Sequence, residues 1–161
     1  MKNIHIMIVL GLVFLGVVSS FVINKNSNAA SPVSSTSLHK GISVTLFHES
    51  TCGCCKNYAK YLENNGVNVR TVTTSNTNNI KNNFNIPSDK RSCHTMKMGD
   101  YVIEGHMPLE VIDKILKEKP DVDILTLPGM PSGSPGMPGN KFNDFTVYSV
   151  NNGEVKEFMK V

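Results

Sequence analysis

The chain begins with a long run of uncharged, mostly apolar residues, 4–23, that closely follows Lys2. A basic start before an apolar stretch is typical of a secretory signal. Because about 20 uncharged residues also span a bilayer about 30 Å thick, a retained anchor is the alternative. We interpret residues 1–30 as a signal peptide or membrane anchor, with cleavage favoured. The rest of the protein is expected to be periplasmic or otherwise extracytoplasmic, with membrane contact only through this segment if it stays uncut.

A polar stretch without periodicity follows the apolar run. Residues 31–40 are rich in Ser, contain Pro32 and lack the spacing of a helix or a strand, so they are predicted to form a linker. His39 lies near the end of this linker, and we expect its side chain to be solvated. The folded domain is therefore predicted to comprise residues 41–161.

Within this domain, two patterns of apolar residues follow each other along the chain. One is the alternation typical of strands, and the other is the three-to-four-residue spacing typical of helices. Strands are predicted at 43–48, 67–73, 93–98, 101–104, 145–150 and 154–159, and helices at 56–65, 77–84 and 108–119. The order β, α, β, α, β, β, α predicts an α/β domain with a thioredoxin-like mixed sheet and flanking helices, in which a right-handed crossover joins the first two strands. A C-terminal β-hairpin is expected to extend the sheet.

Residues 127–140 are too rich in Pro and Gly for regular structure, and they also carry Met130 and Met137. A loop of this length in a small domain is usually functional or disordered. We predict an irregular Pro/Gly/Met loop between the last helix and the terminal hairpin.

Charge excludes one broad class of function. The chain has 16 Lys and Arg against 13 Asp and Glu, and loss of Lys2 and Lys25 with the leader leaves 14 against 13. Nucleic-acid binding needs clustered basic residues that release counterions from phosphate, and no such cluster is present. We therefore expect no nucleic-acid partner.

The four cysteines carry the strongest chemical signal in the chain. Cys52, Cys54 and Cys55 lie between the first strand and the first helix, and Cys93 begins the third strand. In a thioredoxin-like sheet these two places face each other, so four thiols are expected to converge. A helix N-terminus favours thiolate over thiol. Four thiolates exceed what disulfide exchange requires and match a soft metal ion: Cu(I) first, with Zn(II) the less favoured competitor.

Histidines and methionines extend this prediction with less specificity. His94, His106 and Met107 are candidate ligands beside the cysteines, and His48 at the end of the first strand is placed to approach them. The remaining methionines beyond the leader and before the last strand are Met96, Met98, Met130 and Met137. Thioether donors favour copper over zinc, although Met96 and Met98 are equally suited to a hydrophobic core.

Two alternatives remain open from the residues alone. The chain is also suited to a periplasmic thiol–disulfide oxidoreductase with Cys52 as nucleophile and Cys55 as resolving thiol, although Cys54 would compete in the pairing. A structural zinc site is the other alternative, and it predicts unfolding on chelation. Whether the protein is an enzyme, as a copper or thiol oxidoreductase, is undecided at this stage; a metal-binding protein is favoured.

Four separated motifs resemble one known family. They are TCGCC at 51–55, SCHT at 92–95, YVIEGH at 101–106 and PGMPSGSPGM at 128–137. Together they resemble the domain-of-unknown-function 411 family, periplasmic copper-resistance proteins of the CopG type. The resemblance implies a thioredoxin-like fold, a copper site and a role in copper resistance, with the metal bound as Cu(I) and shuttled between Cu(I) and Cu(II). The ligands it implies are Cys52, Cys54, Cys55 and Cys93, with His94, His106 and Met107 less specifically indicated. Copper ions are the expected partner, together with components of a periplasmic copper exporter or oxidase.

Overall fold

The computed structural model describes residues 39–161. The predicted leader, residues 1–30, and most of the predicted linker lie outside the described residues. Within residues 39–161, no helix combines the length and the apolarity needed to cross a membrane.

Seven strands and three α-helices make up the described domain. The strands are β1 (Ser43–His48), β2 (Asn68–Thr73), β3 (Thr95–Met98), β4 (Tyr101–Glu104), β5 (Ile124–Thr126), β6 (Thr146–Asn151) and β7 (Glu154–Lys160), and the helices are α1 (Gly53–Asn64), α2 (Thr77–Asn83) and α3 (Leu109–Glu118). A short 3₁₀ turn, Ser88–Lys90, precedes β3. The predicted elements are all present, with ends shifted by up to three residues.

All seven strands form one mixed sheet in the order β2-β1-β3-β4-β5-β6-β7. β1 pairs in parallel with β2 and antiparallel with β3, and β3 pairs antiparallel with β4. This four-strand part is the thioredoxin-like arrangement that the sequence predicts. β5 pairs in parallel with β4, and the β6–β7 hairpin extends the sheet from β5.

The main core forms where helices cover this sheet. In α1 the buried side chains recur at helical spacing at Tyr58, Ala59 and Leu62, and in α3 Val111, Ile112 and Ile115 do the same. All of these except Ala59 pack with alternate residues of β1 and β3, because side chains of a strand point alternately to its two faces. This packing holds the end of β1 and the start of α1 in fixed positions, and the cysteines lie between them.

One prediction about the linker is wrong. His39 is fully buried rather than solvated, and its ring contacts the backbone oxygen of Asn65 at 3.2 Å and Asp113 Oδ1 at 2.6 Å. A buried polar ring is stable only when its nitrogens find partners, and the turn after α1 together with α3 supplies them. The ordered packing of the domain therefore begins at least two residues before the predicted boundary.

Candidate metal centre

A tight turn carries the chain from the sheet into the cysteine motif. The Cys52 N–H donates to the Glu49 carbonyl oxygen at 3.0 Å, which closes the turn after β1. Cys52 then caps α1, and its Sγ accepts a hydrogen bond from the Cys55 N–H at 3.3 Å. The cap explains why α1 begins at Gly53 rather than at residue 56, and it places Cys54 and Cys55 in the first helical turn.

The four cysteines, Cys52, Cys54, Cys55 and Cys93, form a cysteine cluster whose sulfurs lie within 4.8 Å of one another. A disulfide joins Cys52 and Cys55, whereas Cys54 and Cys93 carry free thiols. Cys54 Sγ lies 3.5 Å from Cys52 Sγ and 3.9 Å from Cys93 Sγ. Cys93 Sγ also lies 3.5 Å from Cys55 Sγ, so it reaches the motif from the chain that leads into β3, the strand next to β1.

Two imidazoles adjoin the cysteine cluster at Cys93. Cys93 Sγ lies 3.4 Å from His94 Nδ1 and 3.1 Å from His106 Nε2. The two rings meet edge to face with their centroids 4.7 Å apart. Cys93 therefore belongs to two candidate ligand groups, one of four sulfurs and one of a sulfur and two ring nitrogens.

A hydrogen bond on the far side of the ring orients His106. Its Nδ1 lies 2.6 Å from the backbone oxygen of Pro135, which can accept a hydrogen bond but cannot donate one. In the neutral ring Nδ1 therefore carries the hydrogen, and Nε2 presents its lone pair to Cys93. A backbone acceptor behind a ligating histidine fixes ring and tautomer in this way in many metal sites.

Burial sets the protonation of the groups around Cys93. It lowers the pKa of His94 well below its usual value, and the charges of His106, Lys81 and His48 lower it further. Burial also lowers the pKa of His106. In the same way burial raises the pKa of Cys93 to about 12, with Cys54 adding to the rise. At neutral pH both imidazoles are thus uncharged and can each offer a nitrogen lone pair to a metal ion. A metal ion that binds Cys93 has to displace the thiol proton.

His94 has one further property that bears on ligand binding. Its Nε2 is buried without a hydrogen-bond partner among the described residues. The ring lies against Tyr58, with the centroids 4.7 Å apart. A buried polar atom normally finds a partner, and an exception calls for an explanation such as a missing ion or ligand.

Residues 127–140, the Pro-Gly loop, cover one side of the site. A Cβ on Gly136 would lie 2.7 Å from the Tyr58 backbone nitrogen and 3.0 Å from the Cys54 oxygen, so the loop lies directly on the first turns of α1. Pro135, directly before Gly136 in the chain, accepts the His106 hydrogen bond. The loop is irregular, as predicted, and it is packed onto the site.

Comparison with known proteins places this geometry in a family. The profile of the family described as "Protein of unknown function, DUF411" matches residues 90–137. A solved structure of copper resistance protein copG, form 2, is 30% identical and superimposes with a TM-score of 0.69, covering 74% of this chain and 98% of that chain. The chain belongs to the CopG family. The form 1 structure of copG gives the same identity with a TM-score of 0.68, covering 74% of this chain and 97% of that one. No curated protein matches the chain.

The family match and the site share residues. The stretch matched by the family profile, residues 90–137, contains Cys93, His94 and His106 together with most of the Pro-Gly loop. The CxCC motif of this CopG family member lies before that stretch and joins it only through the fold. The solved copG structure matches 74% of this chain, a larger share than the family profile does.

The methionines divide into two groups. Met96, Met98 and Met107 are buried in the main core, and the Met107 carbonyl accepts a hydrogen bond from Tyr58 Oη at 3.0 Å. Met130 is 52% exposed, and Met137 is half-buried in the Pro-Gly loop. Met96 and Met98 thus take the core position that the sequence left open, while the ligand role of Met107 stays a prediction.

Two charged residues next to the site were missed by the sequence analysis. Lys81 and Glu104 are buried and paired, and they contact the segment that carries Cys93 and His94. The sequence holds a weak signal for each: Glu104 ends an apolar strand, and Lys81 follows Ile80 in an otherwise uncharged helix. Neither signal distinguishes a buried charge from a solvated one.

The predicted approach of His48 agrees with its burial and with its effect on the pKa of His94.

Proposed function

We propose that this CopG family member is an extracytoplasmic protein that binds Cu(I) through the thiolates of the cysteine cluster and serves copper resistance. The observation that carries the proposal is the convergence of four sulfurs within 4.8 Å, with two imidazoles beside Cys93. The solved structures it resembles are copper resistance proteins. The apolar run at residues 4–23 supports export of the domain.

The donor set fits copper better than zinc. Thiolate is the ligand that Cu(I) prefers, and a neutral imidazole suits copper as well. Zinc accepts a Cys₄ set equally, yet its structural sites are closed tetrahedra of four ligands. Here His94 and His106 both lie next to the Cys93 sulfur, which also belongs to the cysteine cluster. The four sulfurs and two ring nitrogens together are more ligand atoms than one tetrahedral ion binds. We infer that these two histidines add to the copper ligands and that a copper exporter or oxidase receives the ion.

Metal binding depends on the redox state of the cluster. With the Cys52–Cys55 disulfide formed, only Cys54 and Cys93 offer thiols. An external dithiol that reduces this disulfide transfers two electrons and two protons and becomes a disulfide itself, leaving four thiols in the cluster. The reduced protein is therefore the form expected to bind Cu(I) most tightly.

A competitive titration tests the proposal. The full chain, reduced and free of oxygen, is titrated with Cu(I) against a chromogenic Cu(I) chelator. We expect the wild-type affinity to exceed that of a Cys54→Ser/Cys93→Ser variant by at least about a hundredfold, since two thiolate ligands are lost. Met98→Leu is the matched control, because it replaces a buried sulfur at the other end of β3 and should leave the affinity unchanged. Equal affinities for wild type and the double serine variant would refute copper binding by the cluster.

A thiol–disulfide oxidoreductase is the second candidate function, favoured by the disulfide between Cys52 and Cys55. In that function Cys52 and Cys55 exchange electrons with a substrate dithiol, and copper plays no part. Reduction of a model disulfide by the reduced protein separates the two. Activity that survives Cys54→Ser and Cys93→Ser and ignores added copper would support the oxidoreductase, and loss of activity in either variant would argue against it.

A further inference from the structure

A buried ion pair lies beside the metal centre and is not among its candidate ligands. Lys81 Nζ is 2.5 Å from Glu104 Oε1, and the two side chains are 3% and 0% exposed. Lys81 belongs to α2 and Glu104 ends β4, so the pair joins a helix to the sheet. Charges are costly to bury unless their remaining lone pairs and protons also find partners. Those partners show what the pair holds in place.

The Glu104 carboxylate contacts both ends of the Cys93-His94 dipeptide. Its Oε1 accepts a hydrogen bond from the Ser92 N–H at 2.6 Å, directly before Cys93. Its Oε2 accepts one from Thr95 Oγ1 at 2.6 Å, directly after His94. Lys81 Nζ also donates to Thr95 Oγ1 at 3.1 Å, which completes the network.

The dipeptide needs such support because it lies outside the regular sheet. β3 begins only at Thr95, so Cys93 and His94 precede the strand and lack its paired hydrogen bonds on the side of β1. One backbone bond, from the Gly105 N–H to the His94 oxygen at 3.0 Å, extends the pairing with the chain after β4. Cys93 must nevertheless hold its Sγ within 3.5 Å of Cys55.

Electrostatics fit a charged carboxylate at this place. The Lys81 ammonium lies 2.5 Å from Glu104 Oε1, and the Ser92 N–H and Thr95 Oγ1 also donate hydrogen bonds to this carboxylate. A carboxylate accepts hydrogen bonds more strongly than a neutral group does. Lys81 therefore supplies the charge that makes a buried carboxylate tolerable.

We propose that Glu104 is a positioning residue that fixes Cys93 and His94 against the cysteine cluster, with Lys81 as its counter-ion. The purpose of this positioning rests on the proposed copper function, whereas the geometry does not. A test that reads the position of Cys93 without copper therefore keeps the two proposals separate.

The test measures how readily Cys93 pairs with Cys55. In the full chain carrying Cys52→Ser and Cys54→Ser, these two thiols remain, and equilibration with reduced and oxidised glutathione gives their effective concentration. Two double variants are compared in this background, Lys81→Met/Glu104→Leu and Lys81→Met/Glu104→Gln. Both lack the ion pair, and only the second keeps an oxygen that accepts the Ser92 N–H.

We expect the Leu variant to lower the effective concentration at least about tenfold, because it loses the hydrogen bond from the Ser92 N–H to a charged acceptor. The Gln variant keeps an acceptor for that N–H and should stay within about threefold of the parent. Ile115→Val, a core truncation in α3, is the control for general destabilisation and should leave the value unchanged. A Leu variant within about threefold of the parent, or equal losses in both double variants, overturns the proposal.

A second variant keeps the test decisive if the Leu variant does not fold. Thr95→Val removes the donor to Glu104 Oε2 and keeps the shape of the side chain, so it should lower the effective concentration severalfold; an unchanged value overturns the proposal. The same substitutions in the four-cysteine chain are then titrated with Cu(I). Failure of the wild type to bind Cu(I) refutes the proposed function only, because the glutathione measurement still decides the role of Glu104.

Discussion

At Gly105 the backbone passes so close to two other segments that a side chain has no room. Its φ is +88°, and a Cβ there would overlap the Leu127 carbonyl oxygen and lie 2.9 Å from the Ser92 Cβ. Only glycine adopts this conformation without strain. Gly105 thereby lets the chain before His106 lie directly against Ser92 and against Leu127, the first residue of the Pro-Gly loop.

Gly105→Ala is expected to damage both stability and copper binding. The left-handed conformation costs about 1–2 kcal/mol for alanine, and overpacking adds about 1–3 kcal/mol. Gly99→Ala is the matched control, because Gly99 has a φ of +56° but open space around it. Urea unfolding should show the larger loss for Gly105→Ala, and Cu(I) affinity should fall in that variant alone. Equal losses in the two variants would show that the close approach is unimportant.

If the proposed function holds, the Cys93 thiol makes copper binding depend on pH. Burial raises the pKa of Cys93 to about 12, so this thiol is protonated throughout the physiological range and has to lose its proton to ligate Cu(I). The apparent affinity should therefore rise with pH, by about tenfold per unit for each proton displaced. Cu(I) titrations between pH 6 and about 8 measure the slope. In Cys93→Ser the slope should decrease by about one proton; an unchanged slope would show that Cys93 is not a ligand.

Among the elements, the Pro-Gly loop acts as the cover of the site. Gly136, with a φ of +80°, lets the loop lie on the backbone of Tyr58 and Cys54, and Pro135 accepts the hydrogen bond of His106. The loop thus lies on the helical turn that carries Cys54 and sets the orientation of one imidazole at the same time.

Gly136→Ala is expected to displace the Pro-Gly loop from α1 and to make the Cys54 and Cys93 thiols more accessible. Overpacking of about 1 kcal/mol or more raises the population of the open loop at least about fivefold. The rate at which a thiol reagent modifies Cys54 and Cys93 should increase by the same factor. Gly129→Ala is the control, because Gly129 also has a positive φ, +69°, but nothing lies within 4 Å of its Cβ position. Unchanged reactivity in Gly136→Ala would show that the loop does not protect the cluster.

Elements with a clear periodic pattern are the ones that the sequence predicts. Six of the strands and the three helices follow from alternation and helical spacing, and the Cys-x-x-Cys placed between β1 and α1 indicates the thioredoxin-like order. The sequence analysis does not predict β5 (Ile124–Thr126), because its three residues are all buried and show no alternation of apolar and polar positions. The Lys81–Glu104 ion pair is not predicted either, because whether a lysine in a polar helix is solvated or paired depends on tertiary contacts.

For the described domain, the main apolar core and the cysteine cluster are built from different residues. The main core contains 16 buried residues from β1, α1, β3, β4, α3, β5 and β6 and from the chain flanking β2, α3, β5 and β6. None of the four cysteines belongs to it, although Cys55 is itself buried. Folding that relies on apolar burial of this kind does not require a metal ion.

Metal removal should therefore leave the fold intact. We expect the far-UV circular dichroism of the reduced protein to stay unchanged after treatment with a strong Cu(I) or Zn(II) chelator, in contrast to domains that fold only with metal. Rebinding Cu(I) at a free concentration about 100 times its Kd should add about 2.7 kcal/mol to the free energy of unfolding, because only the folded state holds the site. The Cys54→Ser/Cys93→Ser variant, titrated in parallel, should gain much less. Loss of the helical signal on chelation would instead identify the cluster as a structural zinc site.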